Sequence, residues 1–340
     1  MAKALAKGDK LSSHRKILFL SIGIAIFLAL VPLLTNRNDL INLMVLIFLY
    51  ICLAQSWNII GGYAGQVSLG HAAFFGLGAL TTRLLLVWGS PFLLSFITGG
   101  LVAVVLALII GHAALRLRGI YFAIGTLGLA QILKITVGNI LPTVADLPSH
   151  YIATYHLVAR YYLFLTLAVI MVVVVYWISH SKLGLGMVAV REDEEAAKAS
   201  GVNTFRQKVI ALAISTFLAG LTGGAFAFYQ VSYYYDLPFD TTWTFGALMI
   251  TYVGGVGTIV GPIIGSFFYA IFAEVFTRTF PQLHIFIFGI LFIAVVLLLP
   301  GGLVETASRI RRLIAPKKAE ASLPRGTPIS KRTKEKNRSH

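Results

Sequence analysis

Apolar runs separated by short polar breaks fill most of the chain. They cover residues 17–34, 40–60, a stretch ending near Trp88, 92–115, 120–140, 161–178, 209–229, 243–253, 263–277 and 284–299. Crossing the hydrocarbon core of a bilayer takes about 20 apolar residues in a helix. The pattern therefore predicts an all-α polytopic membrane protein with about ten transmembrane helices. The β-branched run from Val172 to Val175 is read as helix too, because a spanning segment in lipid must satisfy its backbone within itself. Gly89-Ser90-Pro91 and Pro300-Gly301-Gly302 mark ends of runs.

Two places break the pattern. Residues 57–80 read WNIIGGYAGQVSLGHAAFFGLGAL, with polar Gln66, Ser68 and His71 among the glycines. Glycine weakens a helix by about 1 kcal/mol relative to alanine, and polar side chains in hydrocarbon must face protein or water. Irregular backbone at membrane depth is tolerated only where it is buried or lines a cavity. The stretch is therefore expected to be broken or re-entrant. The second place is Gly254-Gly255-Val256-Gly257, followed by Gly261-Pro262. Paired interrupted spans point to an internally repeated transporter, with residues 40–140 and 209–300 as candidate halves. Gly61, Gly62, Gly65, Gly70, Gly254, Gly255, Gly257 and Gly261 are candidate gating and packing positions.

The polar groups within the spans have two readings. Gln66, Ser68 and His71 line a path or bind a zwitterionic solute, or His71 is hydrogen-bonded between helices. Tyr121 and Thr126 share the fifth span and are further path candidates, although Tyr121 also suits an interfacial anchor. Arg83 and Lys134 lie close enough to predicted helix ends to snorkel. Glu274 is expected to pair with Arg278 at i,i+4.

Composition supports the membrane reading. The 340 residues are 57% hydrophobic and 12% charged, with a mean hydropathy of +0.83, whereas soluble domains average about 25% charged. The net charge of +15 comes largely from four segments: 1–16, 115–119, 179–208 and 305–340. Short basic segments beside apolar spans mark cytoplasmic loops and attract anionic membrane lipids, so nucleic acid is not the expected partner. With ten crossings and a cytoplasmic N-terminus, all four segments fall on the cytoplasmic side. The division is then a basic N-terminus (1–16), a permease domain (17–304) with a cytoplasmic loop at 179–208, and a basic, disordered tail (305–340). The first run is too long for a signal-peptide core and lacks a cleavage site, so it reads as an uncleaved span. The single cysteine, Cys52, forms no intrachain disulfide and reads as a small buried residue. No G-x-x-x-x-G-K-[ST] or H-E-x-x-H sequence occurs, so neither catalysis nor a cofactor or metal is expected in this chain.

The loop at 179–208, SKLGLGMVAVREDEEAAKASGVNTFRQK, predicts a short charged helix from Glu192 to Ser200 ended by Gly201. Its acidic first turn complements the helix dipole. Such a helix is either merely solvated or docks a cytoplasmic partner. Glu195-Ala196-Ala197, with Gly201 four residues beyond, resembles the E-A-A-x-x-x-G signature of prokaryotic ABC importer permeases. Small alanines allow close docking and glycine permits the turn that follows.

A wider resemblance covers roughly residues 40–303. GGYAGQVSLGHAAFFGLGA, LRLRGIYFAIGTLGLAQI (115–132), VREDEEAAKASGVN (190–203), VGGVGTIVGPIIG (253–265) and LLLPGGL (297–303) resemble the branched-chain amino acid ABC permease family. The 115–132 run is similar to the LivM-type rather than the LivH-type subunit. The sequence departs from the family pattern at LPTVADLPSHYIATYH, which lacks a Gly-rich acidic turn. The resemblance implies import of branched-chain or other apolar amino acids. It also implies a homologous LivH-type permease partner, two cytoplasmic ATP-binding subunits and an extracytoplasmic solute-binding protein, at a bacterial inner membrane. Glu192, Glu195, Ala196, Ala197 and Gly201 are then the residues that couple to the ATPase. Relatives carry urea or aromatic acids, and an ion-coupled carrier is the alternative from another class.

Overall fold

The computed structural model describes residues 37–117, 119–141, 144–153 and 155–279 continuously, with 23, 26–35 and scattered positions from 283 to 309. The basic N-terminus, most of the expected tenth span and the tail beyond residue 309 lie outside the described residues. Helix α1 (26–34) is followed by α2 (Asn38–Asn58), which runs into a π-helical turn (Ile59–Tyr63). Then come α3 (His71–Val87), α4 (Phe92–Ala114), α5 (Ile120–Ile140), a short α6 (Ser149–Ala153) and α7 (Leu157–Ser179). The polar loop holds α8 (Lys182–Glu192) and α9 (Glu194–Ala199), and α10 (Thr204–Tyr229), α11 (Thr241–Gly254) and α12 (Val260–Thr279) complete the order. Among the described residues, six helices are long and apolar enough to cross a membrane: α2 with its π turn, α4, α5, α7, α10 and α12. Helix α3 is apolar but has only 17 residues.

Burial separates an inner group from an outer one. About four-fifths of the α2 span lies inside the protein (78%), and 72% of α10, against 28% for each of α4, α5 and α12. The outer helices expose Leu101, Val105 and Ile109 on α4, Ile124 and Ile132 on α5, and Ile271 and Val275 on α12. Apolar side chains on the perimeter suit contact with lipid or with another membrane chain. Helices α3, α4 and α10 pack most closely with one another. There is no room for a Cβ at the crossing: one on Gly78 would overlap the Gly220 carbonyl, and one on Gly223 would overlap the Phe75 carbonyl. Small residues let helix backbones touch where lipid supplies no hydrophobic drive. Helix α2 packs on α7, α10, α11 and α12. Tyr161 and Tyr162 of α7 donate to the Leu28 and Ala29 carbonyls, tying α1 to the bundle.

The structure differs from the sequence expectation in three respects. The loops at 144–146 and 232–234 pair as a two-stranded antiparallel ladder, β1 (Val144–Asp146) with β2 (Ser232–Tyr234), instead of remaining irregular. The charged helix expected at 192–200 is broken at Asp193, whose extended backbone ends α8 and caps α9. Arg83 does not snorkel but is fully buried. The reason is local: its Nη2 donates to the Ala227 and Gln230 carbonyls at 2.7 and 2.5 Å, where the last turn of α10 leaves acceptors without helical partners.

Candidate functional site

The two Gly-rich stretches form breaks that lie against each other. In the first, α2 loosens into the π turn, with Ala64 N–H donating to the Ile59 carbonyl. The chain then doubles back. Trp57 Nε1 donates to the Ser68 carbonyl at 2.8 Å, and Ser56 Oγ lies 2.8 Å from His71 Nε2. Helix α3 therefore starts level with Ser56, about 10 Å short of Tyr63 at 1.5 Å per residue. The segment 64–70 is thus a non-helical break at which the chain turns back on itself, where the glycines and polar groups led one to expect an interruption.

In the second, residues 255–259 separate α11 from α12. The last turns of α2 hold them in place. Gln55 Nε2 donates to the Ile259 carbonyl at 2.7 Å and Asn58 Nδ2 to the Thr258 carbonyl at 2.9 Å. Asn58 Oδ1 accepts from Gly257 N–H at 2.9 Å. Gln55 and Asn58 are fully buried and sit three residues apart, on one face of α2. They satisfy backbone groups that the break removes from helical pairing.

A seam of small hydroxyls continues from this point. Thr126 Oγ1 of α5 accepts from Leu69 N–H at 3.1 Å, and Thr244 Oγ1 of α11 accepts from Ala72 N–H at 2.8 Å. Ser215 of α10 donates to the Ser56 carbonyl. Ser56 in turn donates to Leu53 O, which leaves His71 Nε2–H as the donor to Ser56 Oγ. The Ser68 hydroxyl and the side-chain oxygens of Gln55 and Gln66 are buried without a protein partner. Buried polar atoms of this kind ordinarily meet water or a ligand.

The polar loop at 179–208 abuts the first break. Ser181 caps α8 through Gly184 N–H. Asp193 caps α9 by accepting from Glu195 and Ala196 N–H at 2.9 and 3.0 Å. Gly201, at φ +82°, closes α9: its N–H donates to Lys198 O, and Val202 N–H donates to Ala197 O. That is a Schellman motif, which requires a left-handed residue at this position. Glu194 ties α9 to α10 through Lys208 at 2.7 Å. Burial acts to raise the Glu194 pKa, but Lys208 and Lys198 outweigh it and hold the carboxylate below its ordinary range. Arg191, in the last turn of α8, reaches the other way and donates from Nη1 to the Gly62 carbonyl at 2.8 Å.

The polar path candidates are only partly brought together. Ser68 and His71 are buried beside Ser56 and Trp57, Gln66 is half-buried on the same segment, and Thr126 is buried against it. Tyr121 stands apart, 70% exposed on the outer face of α5. Gly61 packs beneath the Trp57 ring and Gly70 against the Thr126 carbonyl. Gly62 faces Gly257, Gly65 faces Arg191, Gly254 faces Gly261, and Gly255 faces Gly301 and Thr258. On α9, Ala197 is buried, whereas Glu195, Ala196 and Gly201 are exposed, as is Glu192 at the end of α8. Gln55, Asn58 and Arg191 were not picked out from the sequence. The spacing of Gln55 and Asn58 at the polar end of an apolar run was the available signal.

The sequence family described as branched-chain amino acid transport system / permease component matches residues 40–296. Two relatives carry the name high-affinity branched-chain amino acid transport system permease protein LivM. The protein from Escherichia coli (strain K12) is 29% identical over 267 residues, and that from Salmonella typhimurium (strain LT2) 28% identical over the same length. Each alignment takes in 67% of this chain and 61% of the relative. The chain therefore spans less than two thirds of the length of these relatives. No solved structure matches the chain.

Proposed function

Because the chain belongs to the family of branched-chain amino acid transport system permease components, we propose that it is the transmembrane permease subunit of an ABC importer that moves branched-chain or related apolar amino acids into the cell. The observation that carries this reading is α9. It is a capped, exposed helix bearing Glu195-Ala196-Ala197 with Gly201 behind it, tied to α10 by the Glu194–Lys208 pair. A short rigid helix presented on the basic side of a membrane protein suits docking into an ATPase subunit.

The chain itself would not hydrolyse ATP. It would pair with a homologous LivH-type permease through an apolar perimeter, bind two cytoplasmic ATP-binding subunits through residues 192–201, and receive solute from an extracytoplasmic binding protein. It would lie in the bacterial inner membrane with ten crossings and both termini cytoplasmic. The two helix–break–helix units, α2–α3 and α11–α12, would be counterparts in an internal repeat. Gln66, Ser68, His71 and Thr126 are the proposed path residues, with Tyr121 the least supported because of its exposure. An ion-coupled carrier is less well supported, since no Asp or Glu side chain among the described residues is buried, and coupled carriers use intramembrane carboxylates.

Affinity purification from membranes, combined with uptake of radiolabelled leucine, tests the reading. A P-loop ATPase is expected to accompany the chain, and Glu195→Arg to abolish leucine uptake. Purification without any ATPase, with uptake intact in Glu195→Arg, would sink it.

A further inference from the structure

We infer that Arg191 is the residue through which movement of the cytoplasmic helix reaches both membrane breaks. The inference rests on the importer reading above and goes further by naming the mechanical link. One guanidinium has contacts on two sides. Toward the cytoplasm, Nε and Nη2 donate to Glu192 Oε1 at 3.0 and 2.5 Å, one residue before the cap of α9. Toward the membrane, Nη1 donates to the Gly62 carbonyl in the π turn. That carbonyl is available because the helix ends there and leaves its last acceptors unpaired.

The surroundings are cut to the shape of this side chain. A Cβ on Gly65 would lie 2.7 Å from Arg191 Cγ, and one on Gly257 would lie 2.5 Å from Nη1. Glycine at both places leaves a slot for the stem and head of one arginine. Gly65 belongs to the first break and Gly257 to the second, and Asn58 joins the two through Gly257 N–H. A shift of α8 and α9 therefore cannot leave the breaks in place without parting the Arg191–Gly62 bond. Arginine is suited to this position because its planar fork holds a carboxylate and a carbonyl at once, which an ammonium does not do with fixed geometry. Arg191 is a positioning residue in this scheme and need not touch solute.

The test uses the full chain, purified with the ATPase subunits that accompany it and reconstituted in proteoliposomes with its binding protein. The readout is leucine transported per ATP hydrolysed, a ratio that a simple loss of folded protein leaves unchanged. Arg191→Ala is expected to lower this ratio about tenfold, the worth of one hydrogen bond to a charged group. Arg191→Lys is expected to fall between Ala and wild type, since one donor to Gly62 survives. It carries the test alone if Arg191→Ala inserts poorly. A wild-type ratio in Arg191→Ala, or in Arg191→Lys where that variant stands alone, would overturn the role of Arg191 while leaving the importer reading intact. Absence of any ATPase from the wild-type preparation would remove both.

Discussion

Asn58 and Gly257 are joined by a hydrogen bond of 2.9 Å across 199 residues of chain, and it unites the two irregular stretches of the membrane domain. The same carboxamide donates to the Thr258 carbonyl. Both groups of the amide are thus used, and both partners are backbone atoms that no helix serves. Asn58→Ala would leave a partly buried N–H and a partly buried carbonyl without this partner. An unsatisfied buried group costs about 1–3 kcal/mol, so the variant should unfold in detergent at a clearly lower temperature. Asn58→Asp keeps the acceptor for Gly257 but loses the donor to Thr258, and should also be destabilising. A melting temperature unchanged in Asn58→Ala would mean that the breaks hold together by other contacts.

The crossing of α3 and α10 makes a sharper steric prediction. A methyl on Gly78 would overlap the Gly220 carbonyl, and backbone cannot swing aside as a flexible side chain does. Gly78→Ala should therefore push the helices apart and cost about 1–3 kcal/mol, as overpacking typically does. Gly128, on α5, has no neighbour within 4 Å of its notional Cβ. Gly128→Ala should be neutral or stabilising by up to about 1 kcal/mol, through helix propensity alone. Thermal unfolding of the two variants side by side decides the matter, and equal melting temperatures would contradict the packing described.

These two sites mark what could be read from the sequence and what could not. Apolar run length located the spans well: the expected 120–140 coincides with α5, and 92–115 differs from α4 by one residue. Glycine and polar content located both breaks, because such a mixture has no place facing lipid. Neither property says which distant residue a freed carbonyl meets. The Asn58–Gly257 and Arg191–Gly62 bonds link positions 199 and 129 residues apart, and only the folded chain brings them together. Arg83 shows the same limit. Its distance from a predicted helix end suggested solvent, whereas the carbonyls left without helical partners at the end of α10 offered a nearer electrostatic partner. Asp193 was legible as a capping type of residue, but the acidic run around it hid which residue begins the helix.

The link between Lys134 of α5 and Asp240, in the segment before α11, gives an acid-dependent prediction. Burial acts to raise the Asp240 pKa, but hydrogen bonds from Lys134 and Thr242 outweigh it and hold the carboxyl down at about 2, against an ordinary 3.8. A folded pKa below the unfolded one means that stability is fully present above the unfolded value and is lost as pH falls through the folded one. The difference in melting temperature between wild type and Asp240→Asn should thus be constant from pH 8 to about 5. It should shrink below about pH 4 as the wild-type carboxyl approaches protonation. A difference that instead widens on acidification would reverse the sign and refute the assignment.

Two acidic residues at the start of α9, two positions apart, should behave differently. Asp193 holds Glu195 and Ala196 N–H and is the N-cap of α9. Asp193→Ala should loosen α9 itself, at about 1 kcal/mol for a lost cap. The damage should appear as faster amide exchange over 194–199. The Glu195 side chain is 67% exposed and, among the ion pairs described, meets Lys198 at 3.5 Å. Surface pairs of this kind are worth about 0–1 kcal/mol, and a reversed charge in the first turn costs about 0.3–1 kcal/mol against the helix dipole, so Glu195→Arg should leave the melting temperature of the whole protein near wild type and speed exchange over α9 no more than Asp193→Ala does. If the helix is a docking element, Glu195→Arg should nevertheless lose the ATPase on purification, because a reversed charge on the presented face meets the partner directly. Asp193→Ala should weaken ATPase recovery less than it weakens α9. Were Glu195→Arg to keep a full complement of ATPase while Asp193→Ala lost it, the partner would be recognising the helix ends rather than this face.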